Sequence, residues 1–257
     1  MAGRLSIATA TIAFLLTTTV APQSIVRAQG RGRGAGPAGA QTPKAAAPID
    51  LTGYWVSVVT EDWRYRMVTP AKGDYQGVPM TPAARTIADA WDPDKEEASG
   101  DQCKSYGAPA ILRVPGRLHI TWQDDQTLKM DTDAGRQTRL FHFGNWTPAG
   151  GAHTLQGDSI GEWQPNGGRG ATDGALKVTT TNLRAGFLRK NGVPYSDNTT
   201  LTEYFELITE PSGSPLLVVT IVTTDPDYLR QPFVITSQFK KESSDAKWNP
   251  TACSAKW

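Results

Sequence analysis

RLHITWQDDQTLKMDTDAGRQTRLFHF, residues 117–143, decides the fold class. In RLHITW, Leu118, Ile120 and Trp122 fall on one face and Arg117, His119 and Thr121 on the other, the period-two signature of a strand. In TRLFHF, Leu140 and His142 share one face, while Arg139, Phe141 and Phe143 share the opposite one. TLKMDT and TRLFHF flank Asp133-Ala134-Gly135-Arg136, a turn sequence with glycine where positive φ is easy, so they predict a hairpin.

The pattern continues on both sides. LTGYWVSVVT lies upstream; SIGEW and ALKVTTTNL, then LTEYFEL and PLLVVTIVTT across EPSGS, then FVITSQFKKE, lie downstream. That makes roughly eight to ten strands of ordinary length with turn signals between them. A mainly β domain of sequential antiparallel strands closes best as a single barrel of the lipocalin or calycin kind, because closure removes exposed edges. A two-sheet β-sandwich is the alternative. A short helical segment near residues 82–98 interrupts the strands: Thr81-Pro82 is a cap followed by a first-turn proline, and Asp92-Pro93 restarts a second helix. Ile87 and Trp91, four apart, are expected to share a buried face.

Residues 1–28 read as a secretory signal: a basic start, an apolar stretch rich in threonine, and Val26-Arg27-Ala28 before Gln29. A retained anchor is the rival, weakened by the hydroxyl side chains in a short apolar run. Residues 29–48, rich in Gly, Ala and Pro, predict a disordered linker, and 49–257 the folded domain. The first 48 residues carry five basic and no acidic side chains. The remainder has 21 basic and 25 acidic, a formal charge of −4, which does not suit a nucleic-acid partner. Export to the periplasm or the medium follows, with no membrane span after cleavage. Cys103 and Cys253, the two cysteines of the chain, suggest a disulfide pinning the C-terminal tail; free thiols or a metal pair are the alternatives.

LRAGFLRKNGVPYSDNTTLTEYFE, residues 183–206, contains Asn191-Gly192, a tight-turn signal, and Pro194, which belongs in a turn or at an edge. It predicts a hairpin whose Arg184 and Arg189 form a solvated basic arm. A sharper reading makes Arg184, Arg189 and Tyr195, with Trp122 among the aromatics, the contacts of an anionic or phenolic ligand at a barrel rim. LKMDTDAGRQTRLFHF, LRAGFLRKNGVPYSDN and LLVVTIVTTDPDYLRQPF resemble a family of exported β-rich bacterial proteins found in environmental proteobacteria and acidobacteria. The family pattern runs D-A-G-x-Q-T-R-x-x-H-F, L-R-x-G-Y-L-R-x-N-G-V-P-Y-S, T-E-x-F, D-P-x-Y-L-x-x-P-F and a terminal W-x-P-x-x-C. The chain departs from it at Phe187, where the pattern has Tyr, and in a longer Gly-rich loop at 165–174. The resemblance implies export and a β-rich fold; it carries no activity and transfers no catalytic residue.

The chemistry-bearing residues are few. His119 and His142 lie on strands, where a histidine is commonly a structural hydrogen-bonding residue. Facing a lumen, either could act as acid and base with Arg139 and a buried glutamate such as Glu203. Glu203 and Glu206 are three apart in one strand, so one of them points inward; a buried Glu would pair with Arg139, Arg184 or Arg189. The spacings contain no zinc motif, no nucleophile elbow and no phosphate loop, so no metal or cofactor is expected. Three functions remain: a barrel that binds a small, mostly apolar molecule; an acid/base isomerase, lyase or cyclase on the same barrel; or a structural or interaction protein of the cell envelope with a filled barrel.

Overall fold

The computed structural model describes residues 41–148, 150–167 and 172–256. The signal segment 1–28, most of the linker and the middle of the Gly-rich loop lie outside the described residues. Eleven strands are present among them: β1 Gly53–Val58, β2 Arg117–Trp122, β3 Thr127–Thr132, β4 Thr138–Phe143, β5 Asp158–Pro165, β6 Gly174–Thr181, β7 Gly186–Arg189, β8 Val193–Tyr195, β9 Thr200–Thr209, β10 Pro215–Thr224 and β11 Phe233–Glu242. Nine close into a barrel in the order β1-β11-β10-β9-β6-β5-β4-β3-β2, with β2 returning to β1. The barrel excludes the sandwich alternative. β7 and β8 leave the barrel as a separate hairpin.

The expected purely antiparallel order needs one correction. β4 and β5 run parallel, pairing Phe141 with Ser159 and Phe143 with Gly161. Parallel neighbours cannot be joined by a tight turn, and the chain returns through residues 144–157 to begin β5.

Alternation along the strands fills the barrel interior. Trp55, Ile120, Met130, Phe141, Leu176, Phe205, Val219 and Phe239, from eight different strands, are all completely buried in one cluster. Each such side chain contributes about 1.5–3 kcal/mol relative to exposure. The ninth strand, β5, passes Gly161 over Phe143, whose ring would lie 3.0 Å from an added Cβ. Trp122, Phe143 and Trp163 pack together at 5.5–6.5 Å where β2 and β4 finish. Trp163 donates Nε1 to the Pro43 carbonyl at 2.9 Å. Residues 41–48, expected to be free linker, are therefore docked on the barrel, because this indole needs an acceptor.

Helices α1 Trp63–Arg66, α2 Pro82–Ala90, α3 Pro93–Ser99 and α4 Ala108–Ile111, with a 3₁₀ turn at Lys104–Tyr106, occupy the connection between β1 and β2. None of the described helices is long and apolar enough to cross a membrane. Cys103 and Cys253 form a disulfide with Cα atoms 5.1 Å apart. The tail is fixed further where Thr251 N donates to the Asp133 carbonyl at 2.9 Å.

Candidate functional site

The helical layer and the β7–β8 hairpin enclose a cleft of about 380 Å³ outside the barrel wall. α2 starts at Pro82, with Thr81 Oγ1 accepting from Ala84 N at 3.2 Å. Its buried stripe is Ala84 and Ala88, not Ile87 and Trp91 as the spacing suggested. Two alanines let the helix backbone approach β8 closely. That turns Ile87, one position before Ala88, onto the neighbouring face, where it is 37% exposed and lines the cleft with Trp91. Asp92 then caps α3, accepting from Asp94 N at 3.0 Å.

The opposite wall is the hairpin. Gly192 at its tip has φ +83°, and a Cβ there would lie 2.2 Å from Trp91 Cβ. The Asn-Gly turn is thus both a backbone requirement and the seat of Trp91. Phe187, Pro194 and Tyr195 line this side, and Tyr228 completes the wall. Asp225 joins the last two segments: it accepts from Ser196 N at 2.6 Å and from Tyr228 N at 3.1 Å. The Tyr195 hydroxyl lodges against Gly107 and Gly186, where added Cβ atoms would lie 2.1 and 2.7 Å from it. It has no hydrogen-bond partner among the described residues, and burial raises its pKa.

One edge of the cleft is ionic. Lys104 Nζ lies 3.4 Å from Glu96 and 3.1 Å from Asp101, and 5.7 Å from the centre of the Phe187 ring. Burial pushes the Glu96 carboxyl above its ordinary value, against the opposing pull of Lys104. Arg184 sits 3.7 Å from Asp101 and is half exposed, at the outer end of this chain of charges. An apolar trough with a paired, partly dehydrated ionic edge can hold an apolar body and orient one polar group.

The other expected site residues separate. Arg139 and Glu203 meet across the barrel interior, although β5 and β6 stand between their strands. Arg139 Nη1 and Nη2 donate to Glu203 Oε1 and Oε2 at 2.8 and 2.5 Å, and Nη2 also reaches Thr180 Oγ1 at 3.2 Å. Both side chains are 0% exposed. The strand period places both histidines on the outside. His119 stacks on Tyr54 with ring centroids 4.0 Å apart. His142 stacks on Trp146 at 4.0 Å, in a groove with Thr127 and Asp124. His119 and His142 therefore do not converge with Arg139 and Glu203. Trp122 belongs to the aromatic cap of the barrel rather than to the cleft.

The hairpin was expected to carry a solvated basic arm, and here the structure differs. Arg189 is buried, with Nη1 donating to the Gln76 carbonyl at 2.8 Å and its guanidinium 4.2 Å from the centre of the Tyr65 ring. Lys190 is also buried and donates to Tyr106 Oη at 2.7 Å. Only Arg184 of the three is on the surface. The reason is topological: β7 and β8 are not barrel strands, so the layer of short helices covers them. Sequence reasoning missed Lys104, Phe187 and Tyr228 as cleft walls, because no periodicity or motif brings these three distant segments together. Compared with protein-family models, with curated proteins and with solved structures, the chain matches none.

Proposed function

We propose that this domain binds a small, mostly apolar molecule, and that it does so in the cleft between 82–99 and the β7–β8 hairpin rather than in the barrel interior. The observation that carries this reading is the cleft itself: about 380 Å³ walled by Ile87, Trp91, Phe187, Pro194 and Tyr228, beside a barrel already packed with side chains. The ionic edge at Glu96 and Lys104 would orient a single polar group of the ligand. The export expected from the sequence fits the same reading. The signal-like segment and the Cys103–Cys253 bridge suit an oxidising compartment, in which a periplasmic or secreted binder would meet its ligand.

The test is a fluorescence titration with N-phenyl-1-naphthylamine, a neutral apolar dye. Saturable one-to-one binding is expected, with quenching of Trp91, and it should be lost in Ile87→Asp, a substitution at a partly exposed helix position. Non-saturable binding, or binding that Ile87→Asp leaves unchanged, overturns the cleft assignment. The acid/base alternative would have to run on His142 without Arg139 and Glu203, since the barrel wall separates them.

A further inference from the structure

Three arginines from distant segments converge beside the hairpin. Arg66 ends α1, Arg113 follows α4 and Arg189 ends β7; they are 3%, 5% and 4% exposed. All three border one small, partly open space of about 20 Å³, together with Tyr65, Ser105 and Lys190. Neighbouring residues of β7 divide the two features: Phe187 faces the apolar cleft and Leu188 faces this space.

Each guanidinium is only partly satisfied. Arg66 Nε donates to the Arg113 carbonyl at 3.0 Å, and Arg113 Nη1 donates to Asp62 Oδ2 at 3.1 Å. Arg189 spends Nη1 on the Gln76 carbonyl. Arg66 Nη2, Arg113 Nη2 and Arg189 Nε remain buried with no acceptor among the described residues. A buried cationic donor without an acceptor is costly, and three around one space is an arrangement that folding alone does not favour.

The charge balance points the same way. Asp62 is the carboxylate bonded to the cluster, and it is partly exposed. Glu61 acts on Arg66 and Arg113 through space, while its own oxygens accept from Thr236 and Gln238. Asp62 and Asp74 also act on Arg189 through space, Asp74 while held by Arg64 at 2.5 Å. Burial first, and the charge of Arg113 second, lower the pKa of Arg66 and of Arg189 to about 10. The guanidiniums therefore repel one another in a poorly solvated place.

We propose that the space among Arg66, Arg113 and Arg189 is an anion site, built for one compact, singly charged group that accepts from all three free donors. Its volume suits a halide or a carboxylate head rather than a phosphate. Tyr65 and Arg189 also line an open groove of about 440 Å³ that runs past Gln76 and Phe233. A carboxylate could reach the arginines from a molecule lying in that groove, whereas a halide would enter alone. This site is independent of the apolar cleft and of the function proposed for it.

The experiment follows the thermal midpoint of the full domain against sodium chloride, sodium formate and sodium benzoate, with ionic strength held by sodium HEPES. A saturable rise with chloride and formate alike assigns a free-ion site. A rise with benzoate at lower concentration than formate assigns a carboxylate ligand seated in the groove. Arg113→Met should weaken the apparent affinity by about tenfold or more, the loss of one charge-assisted hydrogen bond. Should that variant fail to fold, a bromide-soaked crystal of the unsubstituted protein gives the answer, through an anomalous peak among the three guanidiniums. Midpoints that shift equally with every salt and never saturate, or a space holding only water in the bromide crystal, overturn the proposal.

Discussion

Glu203→Gln is the sharpest test of how the barrel interior is held together. The substitution keeps the shape of the side chain and removes its charge. Glu203 receives two hydrogen bonds from Arg139, at 2.8 and 2.5 Å, and neither side chain has any exposure. Thr180 Oγ1, 3.2 Å from Arg139 Nη2, lies 2.8 Å from Ser159 Oγ, so the network offers a hydroxyl but no second carboxylate. With Gln at 203, a guanidinium is left charged in a packed interior, and one amide hydrogen faces a donor. Breaking one half of a buried pair costs about 3–5 kcal/mol. For a domain of this size each kcal/mol moves the midpoint by about 2–4 °C, so a fall of about 6–20 °C is expected. Arg139→Met with Glu203→Leu removes both charges and should recover most of that loss, because an apolar pair needs no desolvated charge. The assay is urea unfolding of the oxidised protein followed by tryptophan emission, with the slope checked for constancy. The reasoning fails if Glu203→Gln lies within about 1 kcal/mol of the parent, or if the double variant loses as much as the two single ones together.

Three further outcomes are expected. Replacing both Cys103 and Cys253 by Ala opens a loop spanning 150 residues and should cost up to about 4–5 kcal/mol; limited proteolysis should then cut the tail beyond Asn249 first. Gly192→Ala meets both a φ of +83° and Trp91 Cβ at 2.2 Å, whereas Gly73→Ala at φ +89° meets nothing within 4 Å. The Gly73 change should cost about 1 kcal/mol and the Gly192 change clearly more, with a shift in Trp91 emission; equal losses in urea would remove the steric argument. His142 should titrate below its ordinary 6.5, because burial outweighs the pull of Asp124 and Asp158. As pH falls through 6.5 the unfolded chain takes up its proton first, so stability drops between 6.5 and the lower folded-state pKa. An NMR titration of the ring proton checks this, and Trp146→Ala should move the value back up.

Period two in TRLFHF correctly placed Arg139, Phe141 and Phe143 on one face, but which face was inside depended on neighbours the alternation does not name. The same holds for Glu203 and Glu206, of which Glu203 is the buried one. Asn191-Gly192 identified the reversal and said nothing of its surroundings, since tertiary cover and not local chemistry buries Arg189 and Lys190. The alanine stripe of α2 was overlooked because Ile87 and Trp91 are larger and carry the stronger hydrophobic signal. Arg66 and Arg113 were beyond reach: they come from short irregular segments where no periodicity marks a face. The missing tight turn between Phe143 and Asp158 was visible as a long interval, but so was the longer one between Val58 and Arg117, which joins an antiparallel pair; length alone did not reveal the parallel joint.

That joint has an arithmetic origin. Going once around a closed ring, the strand direction must return to its starting sense, so the number of reversals between neighbours is even. Nine staves cannot alternate up and down without one mismatched joint, and β4 against β5 is that joint. One parallel joint is therefore compulsory in an odd-numbered ring, and the crossover at 144–157 is what places it between β4 and β5. Shortening it to a two-residue turn would force β5 to enter upside down. The parallel joint would then have to move to another pair of neighbours for the nine strands to close again.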